Sequence, residues 1–161
     1  MAQVDYFLKL DGIKGESADA KHKDEIDIES FSWGVTQTGA HATGGGGGAG
    51  KATFQDFHFV MRLNVASPSL MKSCATGQHI KLGTLSCRKA GKDQQEFLTI
   101  KMTDVIISSY QTGGSEGSDV PFDQVSLNFA KIEVEYRQQK PDGTLAPGAK
   151  FGFDIKSNKS L

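Results

Sequence analysis

The densest candidate for chemistry is GGGGGAGKAT at residues 44–53, where six glycines run into a lysine and approach the loop that cradles nucleotide phosphates. Against the pattern G-x-x-x-x-G-K-[ST], Gly45 and Gly50 supply the glycines and Lys51 the lysine, but the next position holds Ala52. Alanine has no hydroxyl for a magnesium ion, and Thr53 stands one residue too late. A phosphate loop must also open into a helix whose first N–H groups face the anion. Here the next segment, TFQDFHFVMRLNV, puts Phe57, Phe59, Met61, Leu63 and Val65 at every second position, the period of a half-buried strand. The stretch therefore reads as a near side-chain-free connection between two strands, and no nucleotide or other cofactor is expected.

The remaining chemistry-bearing residues are dispersed. The four histidines, His22, His41, His58 and His79, do not share the i, i+4 spacing that sets two ligands on one metal, so no metal site is expected. His22 has Asp24 and Glu25 beside it, in a segment where carboxylates and lysines mix evenly, and reads as part of a charged, solvated loop. There is no G-x-S-x-G elbow for a nucleophilic serine. Cys74 and Cys87 show no metal spacing and read as reduced thiols acting as small core hydrophobes. Nothing in these residues favours an enzyme.

The elements that would carry such residues alternate from end to end. Tyr6, Leu8 and Leu10 share one phase, and Ile26 and Ile28 another. Phe31, Trp33 and Val35 come next with the phase switched, which predicts a bulge. Further on come Ile80 and Leu82, then Leu98, Ile100 and Met102, then Val125, Leu127 and Phe129, and last Phe151, Phe153 and Ile155. A second switch, from Phe129 to Ile132, Val134 and Tyr136, predicts a bend near Ala130. One segment departs from alternation. In SPSLMKSCATG, Ser67 as N-cap, Pro68 at the first helical position and Gly77 as the stop predict one short helix packing Leu70, Met71 and Cys74. The expected fold is mainly β: a compact barrel of two packed antiparallel sheets with one flanking helix, residues 1–161 forming a single domain.

Composition narrows the partners. At 161 residues, folding hides roughly 70% of the surface of the unfolded chain, enough for one ordinary core. Eighteen basic and nineteen acidic side chains leave a net charge of −1, so no polyanion, neither nucleic acid nor an anionic membrane, is implied as partner. MAQVDYFLKLDG alternates as a strand does and lacks the continuous apolar run of a signal peptide, and no transmembrane segment is evident.

Taken as blocks, YFLKLDGIKGES, HKDEIDI, FSWG, GGGGGAGK, FQDF, SPSLMKSCATGQH, RKAG, EFL, DVIISS and VSLNFAKI resemble, in consistent order, the Hcp family of the bacterial type VI secretion system. The resemblance covers nearly the whole chain. It implies a hexameric ring of such barrels, with rings stacking into the inner tube of a contractile injection machine. It implies as partners the spike, sheath and baseplate of that machine, and effector proteins held in the ring lumen. Assembly in the bacterial cytoplasm, and then export without a signal peptide, is implied as well.

The family's lumen-facing residue matches Ser32 in FSWG, and alternation agrees: with Phe31 and Trp33 in the core, Ser32 points to the opposite face. The family's docking arm, which reaches a neighbouring subunit, matches Gly44, Gly45, Gly46, Gly47, Gly48, Ala49, Gly50 and Lys51. Glycines there would let backbone approach backbone closely. The alternative from another class is a barrel holding a small apolar ligand. The many Phe and Leu at alternating positions would fill so small an interior, which weighs against a cavity.

Overall fold

The structure is a computed structural model that describes residues 4–39, 51–89 and 94–161. In chain order the strands are β1 (Val4–Leu10), β2 (Ile26–Ile28), β3 (Ser30–Ser32), β4 (Val35–Thr36), β5 (Thr53–Phe54) and β6 (Phe57–Arg62). The helix α1 (Ser67–Thr76) comes next, then β7 (His79–Lys89), β8 (Glu96–Gly113), β9 (Phe122–Tyr136), β10 (Ala149–Asp154) and β11 (Lys159–Ser160). The strand ladders are antiparallel. One nine-stranded sheet runs β11-β10-β9-β8-β7-β1-β2, with β6 also on β9 and β3 on β6, while β4 and β5 form a separate two-stranded ribbon.

Strand β9 organises this arrangement. β8 lies along its whole length, Leu98 opposite Tyr136 through Gly113 opposite Phe122. The other edge is shared in tandem by β6, over Phe122 to Leu127, and β10, over Lys131 to Tyr136. Between these two partners the inward face changes from odd to even positions, as predicted: Val125, Leu127 and Phe129 are buried, then Ile132. β8 changes face at the same level, from Ile100 and Met102 to Val105 and Ile107. That strand turns at Asp104, whose φ of 56° lies in the left-handed region that aspartate tolerates better than most residues. The two strands thus fold over together, and one face of the bent sheet encloses the core. Phe57 and Phe59 of β6, Leu127 of β9, Met102 of β8, Leu85 of β7 and Leu70 of α1 are all 1% exposed or less and fill the interior.

The expected closed barrel is not formed. β2 pairs with β1, whereas β3, starting two residues after β2 ends, pairs with β6. The phase switch after Ile28 is therefore a change of partner and not the predicted bulge. At this seam the two edges are joined by the covalent chain, by the Glu29 N–H donating to the Val60 carbonyl at 2.7 Å and by the Arg62–Glu29 side-chain pair, with no ladder between β2 and β6 among the described residues.

Helix α1 also differs in detail. The flanking residue is Ala66, with no side-chain cap, so Ser67 is the first helical residue and Pro68 the second. Asn64 organises the entry instead: its Oδ1 accepts from Ala66 N–H at 2.8 Å. Gly77 ends the helix as predicted, at φ 67°, where a Cβ would be strained. The buried face is Ser67, Leu70 and Ser73, spaced three residues apart, with Cys74 half-buried against the core. Met71 is 39% exposed, since the adjacent position turns by about 100° to the solvent side.

Candidate functional site

Ser32 is held by its neighbours. Phe31 is half-buried, stacked on Phe57 at 5.6 Å and edge-on to Tyr6 at 5.4 Å, and Trp33 packs against the core. Ser32 therefore emerges on the outer face and is exposed, the orientation expected from alternation. Strand register extends this into a row, Ser32 beside His58, His58 beside Ser126, Ser126 beside Ser109. Two residues along lies a second row, Ser30, Val60, Gln124 and Gln111. The two rows share one face because opposed residues in an antiparallel sheet point the same way.

Hydrogen bonding sorts this face into bound and available groups. Ser126 is only 5% exposed, and its hydroxyl shares a 2.6 Å hydrogen bond with His58 Nδ1, which orients the imidazole. Asp56, at one margin, accepts from Ser108 Oγ at 2.6 Å and from Asn128 Nδ2 at 3.0 Å. At the other margin the Arg62 guanidinium donates to Glu29 at 3.3 Å and lies over the Phe122 ring. An open cleft of about 590 Å³ runs between β6, β9 and β8 along these rows. Ser32 is legible in the sequence. Residue type alone does not single out His58, Ser126, Gln111 and Gln124, although alternation within β6 and β9 assigns His58, Gln124 and Ser126 to particular faces of their strands.

The glycine-rich residues 44–50 lie outside the described residues. Lys51 is described and exposed. On either side stand β4 and β5, paired Val35 to Phe54 and Thr36 to Thr53, and Phe54 packs on Phe153 of β10 at 5.0 Å. Lys51 thus leads into a strand, and helix α1 begins only at Ser67. Both cysteines are free, and burial pushes the Cys87 thiol up to about 12, which keeps it protonated.

His22 overturns its expected place in a solvated loop. It is 5% exposed and stacked on Phe7 at 4.3 Å, with Nδ1 facing Glu25 at 2.9 Å and Nε2 facing Glu96 at 2.5 Å. Nearby Arg88, 2% exposed, lies over the same Phe7 ring and grips both oxygens of Asp19, at 3.0 and 2.6 Å. These contacts fasten the segment between β1 and β2 across the outer face of β1 and β7. Gly15 is needed there because an added Cβ would collide with the Glu25 backbone.

The Asp19 carboxyl is held well below the usual carboxylate range, first by the hydrogen bonds from Arg88 and against an opposing push from burial. With the folded value depressed, the contribution is complete above the unfolded value of about 3.9 and is lost as pH falls through the folded one. Asp19→Asn is expected to lower the melting temperature at neutral pH and to flatten the decline in stability below about pH 4. Thermal melts across that range check this; an unchanged acid limb would remove the pair from the pH dependence.

Among the described residues no group of three or more His, Cys, Asp or Glu side chains converges as a metal site, and no helix is long and apolar enough to cross a membrane. Comparison with known proteins bears on the whole arrangement. Residues 7–136 match the family model described as type VI secretion system effector, Hcp. Protein hcp1 of Pseudomonas aeruginosa is 44% identical over 157 residues, 96% of this chain and 97% of that protein. The crystal structure of Hcp1 from Salmonella typhimurium superposes with a TM-score of 0.81 at 34% identity, covering 100% of both chains. A structure described as a type six secretion system protein reaches a TM-score of 0.92 at 29% identity, over 99% of this chain and 100% of that one. With matches of this extent in both sequence and fold, the chain belongs to the Hcp family of type VI secretion proteins.

Proposed function

We propose that the protein is a structural subunit of the type VI secretion inner tube, six copies closing a ring and rings stacking, with effectors carried against the face that bears Ser32. The observation that supports this reading is the exposure of Ser32 on the outer face of the sheet, in register with His58, Ser126 and Ser109, beside the open cleft that lies over β6, β9 and β8. In this reading residues 44–50 and Lys51 form the arm that reaches a neighbouring subunit, rooted in the β4–β5 ribbon. The spike, sheath and baseplate of the secretion machine are the further partners, and the subunit has no catalysis of its own. It assembles in the bacterial cytoplasm and leaves with the fired tube. Electron microscopy and native mass measurement of the purified protein test the assembly: six-fold rings support it, and a monomer at all concentrations overturns it.

Ser32→Gln tests the lumen assignment. An exposed strand position costs about 0.5 kcal/mol or less on substitution, so the ring is expected to form. The longer side chain then stands out from the proposed cargo face at each subunit and lowers the retention of small secreted effectors. Wild-type retention by a correctly assembled variant would show that Ser32 does not face the cargo.

A further inference from the structure

The two rows on the β3–β6–β9–β8 face differ in kind from the other outer face of the same sheet. Beyond the bend at Asp104, the outer side of β8, β9 and β10 carries Lys101 against Glu133 and Lys150 against Glu135. On the Ser32 side, the charged groups among the described residues stand at the margins, Asp56 engaged through both carboxylate oxygens and Arg62 paired with Glu29. Between these margins the exposed polar groups are serine hydroxyls, the amides of Gln111 and Gln124, and one imidazole. Among the described residues neither glutamine amide has a side-chain partner, and the second ring nitrogen of His58 has none.

We infer that this face binds an extended, uncharged polar segment of a polypeptide through neutral hydrogen bonds, so that cargo is held by amide and hydroxyl recognition and not by charge. The inference rests on the proposed cargo face and names the chemistry of its partner. An amide presents a donor and an acceptor together, and so does a hydroxyl, so these groups match backbone amides and Asn, Gln or Ser side chains in either direction. Rows about 7 Å apart, the repeat of every second residue in a strand, match the alternate side chains of an extended segment. The hydroxyls and glutamine amides carry no charge to attract or repel a charged partner at long range, and a charged side chain buried against them would lose hydration without gaining a counter-charge.

A neutral hydrogen bond alters affinity by a factor of about 2–12. One subunit therefore binds weakly, and retention comes from several copies of the face acting on one cargo. Binding of this kind is insensitive to salt, which screens charges and leaves neutral hydrogen bonds in place.

The test uses the assembled protein and three fluorescent peptides of equal length: a neutral one of Ser, Asn and Gln, an acidic one with Asp, and a basic one with Lys. The neutral peptide is expected to bind best, with an affinity unchanged from low salt to about 1 M, where the screening length is about 3 Å. Gln111→Ala with Gln124→Ala should weaken it on the order of tenfold, while circular dichroism and melting stay as in the wild type. Gln124→Glu should instead create salt-sensitive binding of the basic peptide. Preference of the wild type for a charged peptide, or neutral binding untouched by loss of both glutamines, overturns the inference. Absence of rings in the wild type would overturn the tube reading instead, a separate result from either.

Discussion

Tyr110→Phe combined with Ser67→Ala is expected to destabilise the fold by roughly 3–5 kcal/mol, the cost of leaving a fully buried carboxyl group without its two side-chain hydrogen bonds. Asp123 is fully buried, and its Oδ2 accepts from Ser67 Oγ at 2.7 Å and Tyr110 OH at 2.5 Å, while Oδ1 has no partner among the described residues. Those two hydroxyls supply the side-chain hydrogen bonds to the carboxylate, and through it they tie the first turn of α1 to β8 and β9. For a chain of this size the loss corresponds to a fall in melting temperature on the order of 10 °C. The single variants should each cost less than half, since the first bond removed leaves the second in place. A double variant melting within about 1 kcal/mol of the wild type would show that Asp123 is solvated by other means.

Tyr110 adds a readout at high pH. Burial first, and then the bond to Asp123, pushes its phenol up to about 12. With the folded value raised, its contribution is complete below the unfolded value of about 10 and is lost as pH rises from there through the folded one. The alkaline limb of the stability curve should therefore be shallower in Tyr110→Phe.

Replacing residues 44–50 by a two-residue turn is expected to leave the fold intact and to abolish or strongly weaken ring and tube assembly. Immobilising a backbone costs on the order of 1–2 kcal/mol per residue, most for glycine, so fixing all seven residues would cost up to roughly 10 kcal/mol. No side chain beyond the Ala49 methyl offsets that within the run. Ordering it requires backbone hydrogen bonds from another surface, and the proposed neighbour supplies them. The β4–β5 ladder and the Phe54–Phe153 contact lie outside the replaced residues, so the melting temperature should hold. Sedimentation and microscopy read the assembly, and amide exchange should slow across these residues when rings form. Normal assembly by the shortened chain would assign the docking role elsewhere.

Alternation makes most strands legible, together with the bend near Ala130, because side-chain period is a local property that a few residues display. Glycine at the end of α1 is legible for the same reason. Long-range choice of partner is not. The switch after Ile28 signals that the chain turns over, but not that β3 will leave β1 for β6, so an open seam and a bulge look alike in one dimension. Arg88 lies 69 residues from Asp19, and Ser126 lies 68 from His58. No spacing rule joins such pairs. His22 looks solvated in the sequence because its chain neighbours are charged, and it is buried because Phe7 and Glu96, distant in sequence, meet it across the sheet.

The tandem sharing of β9 has a mechanical meaning. A single strand of fifteen residues runs through both halves of the bent sheet, held by β8 along one side and by β6 and then β10 along the other. Tension applied along it passes from one half to the other through covalent bonds, and every flanking ladder is loaded in shear, with many hydrogen bonds resisting at once. Tension applied across the seam at Glu29 meets no ladder among the described residues, and β2 is held to β6 there by the Glu29–Val60 backbone hydrogen bond, the exposed Arg62–Glu29 ion pair and the packing of Ile26 and Ile28 into the shared core. The molecule is therefore stiff in one direction and compliant in another. Pulled in a single-molecule instrument from the two ends of β9, it should yield at a far higher force than when pulled apart between β2 and β6.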